Sequence, residues 1–455
     1  MKKLALFISD ILILYLALVL TILVRYRGEF ALKFSGHLLP FSIIFILWLI
    51  VFYVSSLYDI PTLRNNPRFY SLLFQSIAIS ATLSVIFFYL LPLYGLTPKT
   101  NLLLFAVIFA SIETLSRYTS NKLLEKHFKK LTIIVGQNPQ ALELAQFIKE
   151  NPQLGYTLKH IIDVTPASDT TPEHSAKKFG TIESIENIKK IIKDDAIDTV
   201  IVSSEVYQRP EIIDAFYQSL KYKVVFRNLI SFYEQLTGRV SLKAISQTWF
   251  LDNLQTGSQR TYEIAKRAVD IVSSVMLGIL TLPFYPLVFL MLMFDEGRGI
   301  WSIQERVGQG GKLIRLFKFR TMLISDDRGN WDSATKNNVT HIGAFLRKTR
   351  LDEMPQLWNV LLGSLSLIGP RPEFPRAVET YKKFIPYYDI RHLIKPGLSG
   401  WAQINHDLHP HHGVDVDQTH TKLSYDLYYI KNRSLIMDLG IGLKTLSVIL
   451  RLAGR

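Results

Sequence analysis

Two carboxylates stand side by side among cations in Arg347-Lys348-Thr349-Arg350-Leu351-Asp352-Glu353-Met354-Pro355-Gln356. Proline is best tolerated in a first helical turn, so Pro355 predicts that Asp352 and Glu353 lie near a helix N-terminus, where the dipole favours an anion such as phosphate. Opposite charge nearby favours the ionised form, so Arg347 and Arg350 are expected to keep both acids charged. An ionised aspartate can attack phosphorus, and a neighbouring glutamate can act as a base or hold a divalent ion. Taken alone, the pair is also explained as a helix cap. Two further stretches favour phosphate chemistry. In Phe317-Lys318-Phe319-Arg320-Thr321-Met322, strand alternation places Lys318 and Arg320 on one face, a point charge and a bidentate fork suited to a diphosphate. In Gly369-Pro370-Arg371-Pro372, two prolines fix φ on either side of Arg371 and so pre-set a guanidinium clamp.

The rest of the chain must seat these groups. Four apolar runs come first, Leu4–Val24, Leu38–Tyr58, Leu72–Tyr94 and Asn101–Ser116. The first three approach the ~20 residues of a bilayer crossing, and the fourth is shorter and carries Glu113. Four crossings put both ends on one side. Lys2, Lys3, Arg64, Arg68, Arg117, Lys122, Lys126, Lys129 and Lys130 fall on that side, which predicts that both ends are cytoplasmic.

Strand-like segments at Leu131–Val135, Thr157–Ile162, Thr199–Ser203 and Lys223–Phe226 alternate with helical patterns at Gln140–Lys149, Ile182–Lys193 and Pro210–Leu220. That alternation predicts a parallel, Rossmann-like α/β domain. The turn after its first strand, Gly136-Gln137-Asn138-Pro139-Gln140-Ala141, lacks the further glycines that let a backbone approach a pyrophosphate. A regulatory or assembly role is therefore expected in place of dinucleotide binding.

A fifth run, Ile271–Phe294, is uncharged but has basic residues on both flanks and Pro283 and Pro286 within it. Each proline removes a helical hydrogen bond, leaving the carbonyls of Ile279 and Leu282 without their usual partners. A helix that breaks at mid-depth and returns to the same face satisfies both facts, with Lys266 and Arg267 snorkelling to headgroups. Leu439–Leu450 reads as an interfacial or core helix.

Composition sets outer bounds. The chain has 455 residues, 52 Lys and Arg against 38 Asp and Glu, a net charge of +14 and no cysteine. Disulfides, thiolate metal sites and a cysteine nucleophile are excluded. The basic residues cluster at membrane flanks, where anionic lipid is a simpler partner than nucleic acid.

With these motifs in view, the chain from about Tyr262 to Arg455 resembles the bacterial sugar transferases, polyprenyl-phosphate hexose-1-phosphate transferases of the phosphoglycosyl transferase superfamily. The resemblance is carried by Lys266-Arg267-x-x-Asp270, Pro283, Gln304-x-Arg306-x-Gly308, Lys318-Phe319-Arg320-Thr321-Met322, Leu351–Gln356 with Asn359-Val360, Gly369–Pro372, Lys395–Gln403 and Tyr425-Asp426-x-Tyr428-Tyr429. It implies a membrane α/β protein in four parts: four transmembrane helices (1–118), a Rossmann-like domain (119–230), a connector (231–261) and a monotopic α/β-type catalytic domain (262–455) with a re-entrant helix at 265–294.

The resemblance further implies that Asp352 attacks the distal phosphate of a UDP-sugar, that UMP leaves, and that a polyprenyl (undecaprenyl) phosphate then takes the phosphosugar from Asp352. Glu353, with Asp352, would position Mg²⁺, and Lys318, Arg320, Arg347 and Arg371 would stabilise phosphate charge. The expected setting is the cytoplasmic face of a bacterial inner membrane, at the start of exopolysaccharide, capsule or O-antigen assembly. The architecture leaves room for a homodimer. The sequence departs from the family at Leu282-Pro283, where Ser-Pro is usual, so Thr281 would have to supply hydroxyl help. It departs again at His406–His412, a histidine-rich loop with weak promise as a metal site. A non-catalytic scaffold and a membrane nucleotide-sugar oxidoreductase are the competing readings.

Overall fold

The computed structural model describes residues 2–90, 99–126, 129–163, 181–182, 186–242, 245–254, 259–295, 299–323, 339–406 and 415–450. It divides into two compact units, Met1–Phe232 and Tyr233–Arg455.

The first unit opens with helices α1 (Lys2–Tyr26), α2 (Phe30–Val54), α3 (Pro67–Leu90) and α4 (Lys99–Lys126). Helix α1 packs on α2 and α4, and α3 packs on α2 and α4. The helical stretches Lys3–Val54, Pro67–Tyr89 and Thr100–Leu123 are long and apolar enough to cross a membrane. Aromatic rings fill the bundle, with Trp48 edge-on to Phe105 and Phe109 and its indole N–H on Ser84 Oγ at 2.9 Å. Glu113, the odd residue of the fourth run, is not exposed. Arg117 takes it at 2.5 Å and Asp10 at 2.6 Å, and Tyr58 donates to Asp10 at 2.7 Å. A buried charge needs such partners, and here they tie α1 to α4.

Then come β1 (Lys130–Val135), α5 (Pro139–Glu150), β2 (Tyr156–Ile162), β3 (Thr181–Ile182), α6 (Glu186–Asp194), β4 (Thr199–Val202), α7 (Pro210–Ser219) and β5 (Val225–Asn228). All five strands run parallel in the order β3-β2-β1-β4-β5, the doubly wound arrangement expected of alternating strands and helices. Gly136 closes the first turn at φ +99°, and a Cβ there would lie 2.6 Å from Ser203 Cβ. Asn138 caps α5 by accepting from Ala141 N at 2.8 Å, while its amide donates to Ser203 Oγ at 2.8 Å and Glu205 Oε1 at 3.1 Å.

Helices α8 (Leu229–Thr237) and α9 (Gln247–Asn253) occupy the expected connector. In the second unit, α10 (Arg260–Thr281) and α11 (Phe284–Met293) meet at a 58° bend. The two carbonyls that the prolines deprive recover partners one residue nearer. Leu282 N donates to Ile279 O at 3.3 Å and Tyr285 N to Leu282 O at 3.2 Å. Thr281 Oγ1 donates to Leu277 O at 2.8 Å and Gly278 O at 3.2 Å, and to neither carbonyl that the prolines deprive. Apolar side chains along the bent pair stay exposed, among them Met276, Ile279, Leu280, Met293 and Phe294.

Around this pair lie the antiparallel strands β6 (Trp301–Val307) and β7 (Leu313–Phe319), then α12 (His341–Thr349), α13 (Gln356–Leu362), β8 (Ser366–Ile368), α14 (Pro375–Phe384), β9 (Gly397–Ser399), α15 (Trp401–Asn405), α16 (Val416–Asn432) and α17 (Leu435–Leu450). Strands β8 and β9 pair in parallel. The backbones meet so closely that a Cβ on Gly397 would sit 2.0 Å from Gly369 N, which is why two distant motifs both carry glycine. The expected interfacial or core helix is α17, and it starts four residues earlier than its apolar run. Of the histidine-rich loop only His406 is described; residues 407–414 lie outside the described residues.

Candidate functional site

Helix α12 ends at Thr349, and Arg350 turns the chain with a left-handed backbone, φ 59° and ψ 14°. A single 3-10 turn, Leu351–Glu353, follows directly, and Pro355 then leads into α13. The acids therefore precede a helix, as Pro355 implied. Asn359, one turn into α13, fixes this segment against β7. Its amide donates to Arg315 O at 2.7 Å and its carbonyl accepts from Phe317 N at 3.0 Å. That stitch delivers Lys318, the next residue of the strand, to Glu353.

Three cations meet on Glu353. Arg371 lies 2.7 Å from Oε1, Lys318 3.4 Å from the same oxygen, and Arg350 3.6 Å from Oε2. Burial pushes the Glu353 carboxyl up, but Arg371, Lys318 and Arg350 outweigh it and hold it below the ordinary range. Asp352 behaves in the opposite way. It is 6% exposed, and its Oδ1 is buried with no hydrogen-bond partner. Burial, then the charge of Glu353, raises Asp352 to about 6 against Lys318, Arg347 and Arg350. Cations alone predicted two equally ionised acids. The structure separates them, because desolvation counts fully for the one without donors.

The Arg371 turn is pinned from every side. The carbonyls of Pro370, Arg371, Pro372 and Glu373 accept in sequence from Gly397 N (3.0 Å), Arg391 (2.9 Å), Arg306 (3.4 Å) and Val307 N (2.9 Å). The prolines fix φ, and these donors fix the rest. Behind the turn lies a second charge cluster. Lys422 pairs with Glu373, and Arg391 reaches Glu373 at 3.8 Å, Asp426 at 2.8 Å and Tyr388 OH at 2.7 Å. Burial is again opposed by cations at Glu373, which falls to about 2. Arg306 lies over the Phe374 ring at 3.3 Å, and burial lowers it to about 10.

Not every expected residue joins the acids. Arg347 donates to Thr321 Oγ1 at 3.0 Å, close enough for Asp352 to feel its charge. Arg320 is turned away from the pair. Strand β7 stops at Phe319, so the alternation that put Arg320 beside Lys318 no longer applies. Its guanidinium is buried against Asp295 at 3.1 Å and the Gly299 carbonyl at 2.7 Å. Lys266 and Arg267 are engaged within the protein. Lys266 pairs with Asp438 at 2.9 Å, and Arg267 donates to Val360 O and Leu361 O at 2.6 and 2.7 Å. Asp270 accepts from Leu367 N at 3.1 Å, and Pro283 sits at the bend. These four position α10 and α13. Sequence reading passed over Arg391, Lys422 and Glu373, whose partners lie far away in the chain. Arg306 and Asp426 stood in recognisable motifs, but without a role.

Among the described residues no three metal-ligating side chains converge. Both Glu353 oxygens face Arg371, Lys318 or Arg350, so the fit to magnesium rests on the Asp352 carboxylate, with substrate phosphates and water to complete the shell.

Residues 261–452 match the family model described as bacterial sugar transferase. A UDP-N-acetylgalactosamine-undecaprenyl-phosphate N-acetylgalactosaminephosphotransferase of Aeromonas hydrophila is 37% identical over 222 residues, 48% of this chain and 50% of that protein. An uncharacterized sugar transferase of Haemophilus influenzae is 29% identical over 348 residues, 72% of this chain and 70% of that one. A UDP-glucose:undecaprenyl-phosphate glucose-1-phosphate transferase of Xanthomonas campestris pv. campestris is 27% identical over 314 residues, 68% of this chain and 64% of that one. The chain thus spans about half the length of the Aeromonas relative. The matched segment contains Asp352, Glu353 and the cations around them, and over that segment the chain is similar to the bacterial sugar transferases.

Proposed function

We propose that this chain transfers a hexose-1-phosphate from a UDP-sugar to a polyprenyl phosphate, with release of UMP. Asp352 Oδ1 attacks the sugar-bearing phosphorus, the bridging P–O bond breaks, and UMP leaves with the electron pair. The phosphosugar rests on Asp352 as an acyl phosphate. A lipid phosphate oxygen then attacks the same phosphorus and frees the carboxylate. The buried, unpartnered Oδ1 beside a cage of cations carries this reading. A carboxylate without donors is a stronger nucleophile than a solvated one, and fixed cations stabilise charge as it moves between oxygens. Glu353, held well ionised, is a poor proton acceptor. Its part is to keep Arg371 and Lys318 in place for incoming phosphate. Asp352 would hold Mg²⁺, which neutralises diphosphate charge when bound.

The membrane reading rests on the apolar helices, the charge bias and the bend. It has four N-terminal crossings, both ends cytoplasmic, and a re-entrant α10–α11 pair in a bacterial inner membrane. The α/β domain serves regulation or assembly, since its first turn lacks the further glycines that a pyrophosphate needs and holds the Glu205 carboxylate on Asn138. A mere scaffold leaves the orphaned Oδ1 without purpose.

The test is UMP release from a panel of UDP-sugars with polyprenyl phosphate and Mg²⁺, wild type against Asp352→Asn. One sugar should give UMP and lipid-linked product, and intact mass should show a phosphosugar adduct when lipid is withheld. A fully active Asp352→Asn overturns the mechanism.

A further inference from the structure

Away from the acids, a partly open cavity of about 30 Å³ lies beside α10, at the C-terminal end of α13. Its wall includes Lys266, Arg267, Asp270, Ser366, Lys395 and Arg433. The volume exceeds the ~10–15 Å³ that one ordered water needs, so it admits oxygens of a tetrahedral group whose remainder stays at the mouth. Most of the charge here is matched. Lys266 has Asp438 at 2.9 Å, and Arg433 has Glu263, another wall residue. Asp270 receives the Leu367 N–H. Arg267 is hydrogen-bonded only to neutral carbonyls of α13, and Lys395 has no hydrogen bond or ion pair among the described residues. These two cations converge. From the point where a Gly363 Cβ would stand, Arg267 NH2 is 3.5 Å away and Lys395 Nζ 3.8 Å. Against the single carboxylate of Asp270 they leave one positive charge in excess. Ser366, 1% exposed, adds an Oγ that is buried without a partner.

We infer that this cavity binds a phosphoryl oxyanion between Lys395 and Arg267, with Ser366 Oγ as a donor. Converging cations repel unless an anion separates them, and a buried hydroxyl without a partner costs stability that a bound oxygen restores. The cavity lies where the basic start of α10 gives way to its apolar part, a suitable level for a phospholipid headgroup. Free phosphate shares the chemistry.

The experiment is thermal unfolding of the full chain in neutral detergent, titrated with dioctanoyl-phosphatidylglycerol, dioctanoylglycerol or inorganic phosphate. It reads binding and does not depend on UMP release. Phosphatidylglycerol should raise Tm saturably, and dioctanoylglycerol should not. Lys395→Gln should raise the half-saturating concentration about tenfold, the loss of one charge-assisted hydrogen bond. Ser366→Ala removes only an unpartnered hydroxyl, so it should fold normally and weaken binding by a smaller factor. Inorganic phosphate saturating the same Lys395-dependent response keeps the site and assigns it to free anion. Equal responses from wild type and Lys395→Gln, or a dioctanoylglycerol response as large as that of phosphatidylglycerol, overturn the inference.

Discussion

The second unit contains two clusters of buried charge built from the same residue types, and they are finished differently. Around Glu373, two cations are matched by two acids. Lys422 and Arg391 share Glu373, Asp426 takes the other side of Arg391, and Tyr388 caps it. Around Glu353, three cations meet one paired carboxylate while Asp352 Oδ1 next to it has no donor. The first cluster balances its charge without a ligand and acts as a brace, even with Arg391 Nε left without a hydrogen-bond partner. The second is short of a partner on both counts, with excess positive charge for a phosphate and a free oxygen for its phosphorus. Neither buried charge nor one orphaned polar atom marks a reaction centre; the difference here is unbalanced positive charge beside an acid without donors.

That contrast can be broken at either end. Asp352→Asn should lower UMP release by about a thousandfold or more with the fold intact, since it removes the proposed nucleophile and not a brace. A melting curve beside the rate separates the two. Arg371→Lys keeps the charge but loses the planar fork, so turnover should fall about a hundredfold with little change in Tm. Lys422→Met attacks the balanced cluster. Removing one partner of a buried pair costs about 3 kcal/mol, so Tm should drop by roughly 10 °C in a unit of this size, without a comparable loss of turnover per folded molecule.

A smaller effect concerns acid. Burial, aided by Arg391, lowers His392 to about 4 in the folded state from an ordinary 6.5. The unfolded chain then binds the extra proton, so stability present above pH 6.5 is lost as pH falls toward 4. Glu373, at about 2 when folded against an ordinary 4.5, extends that loss below pH 4.5. Asp352, raised to about 6 from 3.8, works in the opposite direction between those values. His392→Gln should flatten the unfolding curve between pH 6.5 and 4 and leave the limb below pH 4 unchanged. The smallest effect belongs to the other unit: Glu205→Gln should leave UMP release at the wild-type rate.

What the sequence revealed followed the range of each signal. The alternating strands and helices of 130–228 were legible because their periodicity is local; only β3, two residues long, escaped. The 58° bend was legible because Pro283 and Pro286 act on their own helix. Asp352, Glu353, Lys318 and Arg371 could be named from chemistry and neighbours. Arg320 could not be placed, because its direction depends on where β7 ends and on Asp295, held by another turn of chain. Lys266 looked like a lipid anchor because Asp438 lies 172 residues away. Side chains that answer distant partners leave no local trace.

Arg350 carries one more consequence. Its left-handed backbone costs about 1–2 kcal/mol in a residue with a Cβ, and glycine would relieve that cost. Yet its side chain is one of the three on Glu353. Arg350→Gly should therefore yield a protein that is harder to melt and slower to turn over. At this single hinge, the demands of folding and of the proposed catalysis have opposite optima.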